Sequence, residues 1–551
     1  MPWTAGDNDA ILKVAIEEVV KQLKTMAGGK AKDDAGLVAE MLKGAGLGLL
    51  ELIAEVFSDV MQLNAQEPSY WKESRFIVLH KKGDAQLPDN YRPISLLPIL
   101  YKLFSRVLHE RLKECLKKSS SVGQAGFMAA LSCDDHLFTT MMLVEGSDEW
   151  QTPLWIALVD FRKAFDSIEH DSLWAALSDQ GCPAVYVRLL ENLYKDQSAK
   201  IVADKISSSF KLKRGTKQVD PISSTLFNSS LEQVMRPLKE KWAKRTAGVV
   251  VNGESKERLT NLRFADDLML IGNTLGQVQQ MLGELSEEAK KVGMQMHMGK
   301  TKILGNATGW AQYGGPCSVQ VSGENVDALG PEMRSMYLGR QLTFGNFHDE
   351  EIKHRISCGW GKFAKYKKEL TDPGYPLRQR LKLFNAVVTP TVLYSSGTWT
   401  MTKSREKRLL VAQRRMLRRI VKVGRRVEAK DGSVCDSNTS SSTPSEDNYA
   451  SAQSEGDDGE EKQSEESWVH WIIRATRSGE KELAKARVPD WNEEQRKRKW
   501  KWAGHVARRE DSRWSTTMIQ WNPKGGRRRV GAQHRRWADD VDSYVAAKTE
   551  W

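Results

Sequence analysis

Leu262-Arg263-Phe264-Ala265-Asp266-Asp267-Leu268-Met269-Leu270-Ile271 sets two adjacent carboxylates inside a stretch otherwise fit for burial. Apolar residues on both sides of an Asp-Asp pair predict a β-hairpin with the carboxylates at its tip. Like charges placed side by side next to a core cost energy unless a cation neutralises them. Magnesium suits that task, since it prefers a few carboxylates together with substrate phosphate oxygens. A second stretch lies upstream: Ala157-Leu158-Val159-Asp160-Phe161-Arg162-Lys163-Ala164-Phe165-Asp166, an apolar run that ends on an aspartate and turns into a helix. With Asp160 at the end of a strand beside the hairpin, the carboxylates can hold two ions about 4 Å apart. That arrangement activates an attacking hydroxyl and stabilises a departing pyrophosphate. Alone, Phe264-Ala265-Asp266-Asp267 reads more often as a loop or capping pair than as a metal site.

The surrounding chain narrows the choice. It has 551 residues with 83 Lys plus Arg against 71 Asp plus Glu, a formal charge of +12. Its length allows three or four domains. The surplus is uneven: residues 428–466 hold 12 acidic residues against Lys430 and Lys462, so the remainder carries +22. A chain that basic outside one segment usually meets a polyanion, most often nucleic acid. A hydrophobic share of 40% and a charged share of 28% are globular values. No membrane span is expected, because the longest apolar run, Ala45 to Phe57, is interrupted by Glu51 and Glu55. Asp7 and Asp9 sit where a secretory signal needs a basic and then an apolar run. The six cysteines are scattered singly, which excludes a disulfide scaffold or zinc knuckle and suits a reducing compartment.

Helical spacing of Ile11, Val14, Ile16, Val19, Val20 and Leu23, and again of Leu42, Leu47, Leu50, Ile53 and Phe57, predicts a helical N-terminal extension over 1–74. From 75 to 345 short β-branched or aromatic runs alternate with helical stretches, the grammar of an α+β or α/β region. Residues 346–426 read as helical and basic. Segment 427–467 is rich in Ser, Asp and Glu and cannot bury enough surface to offset its ordering, so a disordered acidic linker is expected, either a plain solvated insertion or a competitor for the nucleic-acid surface. Residues 468–551 hold nine of the 18 tryptophans and twenty Lys plus Arg. Those tryptophans either stack on bases or fill a small core.

In order along the chain, these segments resemble the reverse transcriptase of non-LTR (LINE-type) retrotransposons. Lys81-Lys82-Gly83-Asp84 with Asn90-Tyr91-Arg92-Pro93-Ile94-Ser95-Leu96-Leu97 is similar to the family's fingers motif, and Asp160 to Asp166 to its first palm motif. Gly215-Thr216-Lys217-Gln218-Val219-Asp220-Pro221 with Leu226-Phe227-Asn228 resembles the template-contacting motif. Phe264 to Asp267 matches the metal-binding hairpin, while Lys300-Thr301-Lys302 and Tyr337-Leu338-Gly339 resemble the two motifs that follow. Leu393-Tyr394, Trp399, Trp502 to Val506 and Arg536 to Asp540 are also similar to the family. The last carboxylates, Asp539-Asp540, read as structural or capping, because no apolar hairpin encloses them.

The resemblance implies an α+β right-hand polymerase, with fingers and palm to 345, a helical thumb over 346–426 and a small basic C-terminal region. It implies RNA-directed DNA synthesis from dNTPs onto a DNA primer 3′-hydroxyl, with Asp160, Asp266 and Asp267 catalytic. Asp160, Asp266 and the Phe161 carbonyl are the implied ligands of two Mg2+ ions, which Mn2+ could replace. Lys81, Arg92, Phe165, Gln218 and Lys300 are implied nucleotide contacts. Phe165 would crowd a ribose 2′-hydroxyl, and Lys300 would protonate pyrophosphate. Taken without the family, Lys81 reads equally as a solvated turn lysine. Gly215, Tyr337, Leu338, Gly339, Arg414, Arg415, Arg418 and Arg419 are implied contacts to template and primer. The four arginines lie on a basic helix whose position after the palm favours a thumb helix gripping the template–primer duplex over a surface, membrane-surface or partner helix. Expected partners are an RNA template and a DNA primer or target, without a membrane and with an undefined oligomeric state. The expected location is intracellular, in the nucleus or in nucleus and cytoplasm.

The sequence also departs from the family pattern. Val219 stands where the family has glycine, a replacement that resists φ > 0. Met128 and Ala129-Ala130-Leu131 replace an arginine and a Gly-Arg-rich turn, His297 replaces asparagine, Asp33-Asp34-Ala35 replaces a Gly-Pro-Asp turn and Gln533 replaces proline. These changes motivate a second reading, a catalytically decayed remnant that only binds nucleic acid. The N-terminal 70 residues are too few for the endonuclease that many relatives carry, so nicking of DNA is expected to come from elsewhere.

Overall fold

The computed structural model describes residues 13–549 except 63–65, 82, 117–118, 120, 203–205, 253–256, 314–316, 429–433, 437–465, 512, 520, 522, 524–525 and 532. Most of the acidic linker, and Ile11, therefore lie outside the described residues.

Two compact units form, 1–345 with 510–533 and 346–509 with 534–551. In the first, helices α1 (Ile16–Thr25) and α2 (Leu47–Met61) bury Val19, Leu23, Ile53 and Phe57, the stripe their spacing dictates. Strands β1 (Glu73–His80) and β2 (Tyr91–Leu96) pair antiparallel, with Leu79 opposite Arg92. Helices α3 (Ile99–Leu116) and α4 (Cys133–Glu149) follow. Ser132 caps α4 by accepting from the Asp134 N–H at 3.2 Å, while Asp135 reaches back to the Ser132 N–H at 3.0 Å. Such a box is worth about 1 kcal/mol and explains a start that Cys133 would not encode.

Strand β3 (Trp155–Val159) is buried along its whole length. Strands β4 (Ser198–Val202) and β5 (Phe210–Lys211) extend the first hairpin into a four-stranded sheet of order β2-β1-β4-β5. Helix α5 (Ser223–Lys244) leads to the hairpin β6 (Val249–Asn252) and β7 (Glu257–Leu259), then to β8 (Asn261–Phe264) and β9 (Asp267–Gly272). After helix α6 (Leu275–Lys291) come β10 (Lys302–Gly305), β11 (Cys317–Val321) and β12 (Glu324–Leu329). They complete a six-stranded sheet of order β11-β12-β10-β3-β9-β8. Its centre is the apolar run of β3, with alternate residues Trp155, Ala157 and Val159 joining Val278, Met281, Leu282 and Leu285 of α6 in one core. A last hairpin, β13 (Ser335–Tyr337) and β14 (Arg340–Leu342), turns through Leu338 and Gly339.

The second unit is helical: α7 (Phe347–Lys365), α8 (Leu377–Val387), α9 (Lys403–Val421), α10 (Trp468–Lys485) and α11 (Trp491–Ala507). Leu409, Ala412, Met416 and Ile420 of α9 share a core with Phe384, Trp399 and Trp491. The chain then adds helix α12 (Trp514–Met518) to the first unit before α13 (Trp537–Thr549) completes the second. Region 468–551, a single region by its composition, is thus divided between the two units. Of its described tryptophans, Trp491, Trp502, Trp521 and Trp537 are buried, Trp471 and Trp514 half-buried, and Trp468 and Trp500 exposed. Asp540 is structural, accepting from the Met401 N–H at 2.6 Å and from Lys499 Nζ at 2.7 Å. Among the described residues no helix is long and apolar enough to cross a membrane.

Candidate active site

Register brings the two aspartate motifs together. β3 and β9 run antiparallel with Val159 opposite Leu268, so the next step along each strand sets Asp160 beside Asp267. Phe264 pairs with Asp267 across the hairpin, which leaves Ala265 and Asp266 as its turn. Ala265 takes φ +56°, a conformation unusual for a residue with a side chain. The turn is held from below. Gln124 Oε1 accepts the Ala265 N–H at 3.1 Å and the Gly126 N–H at 2.8 Å. Gly126 has to be glycine, since a Cβ there would lie 2.1 Å from the Ala265 nitrogen.

Asp160 is fixed through its backbone. Its carbonyl accepts the His297 N–H at 2.7 Å and its own N–H donates to Thr301 Oγ1 at 3.4 Å. Lys300 Nζ stands 3.6 Å from Asp160 Oδ2. The Phe161 side chain is buried in the core, and its backbone bridges to Met296. Asp266 and Asp267 reach solvent at the mouth of the site, yet enough protein flanks them to undersolvate their charged forms. Burial, followed by Asp160, raises the Asp266 carboxyl above its ordinary range, while Arg92 and Lys81 oppose the rise. Burial and the neighbouring Asp266, then Asp160, push Asp267 up to about 6. The three carboxylates therefore repel one another, and the two fingers cations lie within electrostatic reach of them. Among the described residues no group of three or more His, Cys, Asp and Glu is close enough to enclose an ion. What fits a divalent cation is the chemistry of the donors, crowded anionic oxygens that raise one another's proton affinity.

Beside the carboxylates, Phe165 stacks on Phe227 with ring centroids 4.2 Å apart and meets the edge of Phe127 at 6.1 Å. Gln218 Nε2 donates to Asp166 Oδ1 at 2.9 Å and to Oδ2 at 3.1 Å. Gly215, at φ +83°, lies so close to this turn that a Cβ would come within 2.6 Å of the Asp166 carbonyl oxygen. Thr216 N–H donates to the Phe165 carbonyl at 2.7 Å, tying the two motifs backbone to backbone. Below them, buried Asp220 accepts from the Tyr101 hydroxyl at 2.7 Å and from Ser105. Buried Lys217 donates to the Trp71 carbonyl at 3.2 Å and lies 4.4 Å from the Tyr101 ring centroid. Val219 takes φ +79°, the backbone that its glycine-like position demands.

The expected template and primer contacts are arranged less uniformly. Tyr337 is buried, with its hydroxyl 3.5 Å from His136 Nδ1, so it supports the site from within rather than lining a surface. Leu338 and Gly339 form the hairpin tip at φ +45° and +73°. In the second unit Arg414 pairs with Glu480 of α10, and Arg418 donates to Thr476 Oγ1 at 3.0 Å. Arg415 and Arg419 are exposed, the latter 4.8 Å from the Trp360 ring centroid. Four supporting residues carried no role in the sequence reading: Gln124, Asp166, His297 and Thr301. Asp166, His297 and Thr301 belong to motifs or departures noted above, but only the fold shows what they hold.

Residues 79–333 match the family model described as Reverse transcriptase (RNA-dependent DNA polymerase). A transposon-derived protein of Caenorhabditis elegans is 30% identical over 306 residues, 54% of this chain and 88% of that protein. The Retrovirus-related Pol polyprotein from type-2 retrotransposable element R2DM of Drosophila melanogaster is 28% identical over 233 residues, 42% of this chain and 21% of the polyprotein. That from type-1 retrotransposable element R2 of Nasonia vitripennis is 26% identical, over 46% of this chain and 24% of the polyprotein. The chain thus spans most of the nematode relative but only about a quarter of the insect polyproteins. With a four-stranded and a six-stranded β-sheet, a carboxylate hairpin and a helical unit after it, the chain has the right-hand polymerase fold and belongs to the reverse transcriptase family, in its non-LTR retrotransposon branch.

Proposed function

We propose that this chain is an RNA-directed DNA polymerase that extends a DNA primer 3′-hydroxyl with dNTPs on an RNA template. The observation that carries the reading is the β3–β9 register, which sets Asp160 beside Asp266 and Asp267 while Lys81 and Arg92 lie within their electrostatic reach. In this reading Asp160, Asp266 and the Phe161 carbonyl hold two Mg2+ ions, replaceable by Mn2+. When bound, the ions supply activation of the attacking hydroxyl and charge neutralisation at the leaving pyrophosphate.

The chain's own groups do the rest. Lys81 and Arg92 bind triphosphate oxygens, the guanidinium through its two-pronged fork. Phe165, braced by Phe227, excludes a ribose 2′-hydroxyl. Gln218, oriented by Asp166, lies against the incoming base pair. Lys300 gives a proton to pyrophosphate. Gly215 and the Leu338–Gly339 tip adjoin template and primer, Tyr337 backs the hairpin, and Arg415 and Arg419 are better placed than Arg414 and Arg418 to meet phosphates. The reading carries an intracellular location with access to nuclear DNA.

The test supplies purified protein with an RNA template, an annealed DNA primer, dNTPs and Mg2+, beside an Asp266→Ala, Asp267→Ala control. Extension by the wild type that vanishes in the control is expected. Salt-sensitive binding of the template without any extension would overturn the reading.

A further inference from the structure

The segment 510–533 belongs to the first unit although nearly all of the second unit separates it in sequence from the rest of that unit. It is anchored at several points. Met518 is buried. Trp521 Nε1 donates to the Val250 carbonyl at 2.8 Å, and its ring sits where any Cβ on Gly146 of α4 would clash, at 2.5 Å. Ser515 Oγ reaches Asp135 Oδ1 at 3.3 Å, and Arg528 pairs with Glu149 at 2.6 Å. At its leading end Arg513 Nη1 donates to two backbone carbonyls, Val122 at 2.8 Å and Gln124 at 3.1 Å.

Those carbonyls belong to the loop that underlies the catalytic hairpin. The loop is laminated to β8: Arg263 N–H donates to the Gly123 carbonyl at 2.8 Å and Ala125 N–H to the Arg263 carbonyl at 2.9 Å. From it the Gln124 side chain accepts the Ala265 N–H, one residue before Asp266. Ala265 has a left-handed backbone that persists only if its surroundings over-determine it. A charged guanidinium gripping two carbonyls of the same loop supplies such a constraint.

We propose that Arg513 is a positioning residue for Asp266: through the Val122–Gln124 loop, the 510–533 strap holds the carboxylate turn in its reactive shape. The effect on synthesis rests on the polymerase reading, whereas the effect on the turn does not. The full-length chain is compared with Arg513→Ala, Arg513→Lys and, as a control at the far end of the strap, Arg528→Ala. Two quantities are read: amide hydrogen exchange of residues 122–127 and 262–268, and kcat and dNTP KM in primer extension.

Arg513→Ala is expected to speed exchange at Ala265 about tenfold and to lower kcat by a similar factor, with KM within about twofold. Arg513→Lys should recover part of both, and Arg528→Ala should change neither. Unchanged exchange at Ala265 in Arg513→Ala overturns the proposal. So does exchange that rises evenly through the whole unit, which would mean general scaffolding. If the wild type fails to extend a primer while exchange at Ala265 follows expectation, the strap stands and the polymerase reading falls.

Discussion

Gln218 clasps both carboxylate oxygens of Asp166 with one amide group, at 2.9 and 3.1 Å. This joins the motif at 215–221 to the one that begins at Asp160. Because Gly215 and Thr216 also touch the backbone of Phe165 and Asp166, the two motifs share one rigid seam. Burial raises the Asp166 carboxyl above its usual range, against the Gln218 hydrogen bond and the nearby Lys163, Lys81 and Arg92.

The seam tolerates no side chain at Gly215. With φ at +83° and Asp166 backbone atoms at 2.6 to 2.7 Å from a Cβ, neither neighbour is a flexible group that can swing away. Gly215→Ala is expected to cost about 3 kcal/mol and to abolish extension. Urea unfolding and a primer-extension assay check it; a shift below about 1 kcal/mol would show that the turn can relax.

Val219 offers the opposite case. It is 56% exposed and holds φ +79°, so its side chain gives little packing in return for an unfavourable backbone. Val219→Gly is expected to stabilise the chain by about 1 kcal/mol, raising the thermal midpoint by about 1 °C, and to increase extension severalfold. An unaltered midpoint and rate would refute the steric account.

Phe165→Ala removes one ring of the Phe165–Phe227 stack and opens the space beside it. Ribonucleotide incorporation should rise at least about tenfold relative to dNTP, with a stability loss of about 2 kcal/mol. Single-nucleotide incorporation with matched rNTP and dNTP is the check. Equal discrimination would remove Phe165 from the sugar site.

Lys217 gives a pH signature. Burial lowers its ammonium to about 8, despite the attraction of Asp220. Between pH 8 and about 10 the unfolded chain binds this proton and the folded chain does not, so this residue makes stability rise with pH across that window. Lys217→Met should remove the slope and, by leaving buried Asp220 without its cation, cost about 3 kcal/mol near neutrality. Denaturation midpoints of both proteins from pH 7 to 10 test it. Parallel curves would mean that Lys217 stays protonated in the folded chain as long as in the unfolded one, so that burial does not lower it.

Much of this was legible from sequence because its signals are local. The runs at 157–159 and 268–271 fix strands, their aspartates mark the ends, and a valine in a glycine turn announces a positive φ. Tyr337 was not legible as a buried residue, since an aromatic beside a hairpin tip reads the same whether it faces in or out. Nor could charge separate Arg414 and Arg418 from Arg415 and Arg419: the difference is Glu480 and Thr476 on another helix. The Gln124–Ala265 and Arg513–Gln124 bonds span 141 and 389 residues, and nothing in a single sequence encodes such pairings.

The interleaved layout has a consequence for biosynthesis. A ribosome that has finished Gly345 must still add everything up to Glu510 before the first unit receives its last piece. At about 5–20 residues per second the nascent polymerase waits roughly ten to thirty seconds with α4 and the Val122–Gln124 loop uncovered. A premature stop codon after α9 would release a protein that has Asp160, Asp266 and Asp267 but lacks Arg513 and its two bonds to the Val122–Gln124 loop, so that on the proposed role of the strap full translation would act as a licence for synthesis.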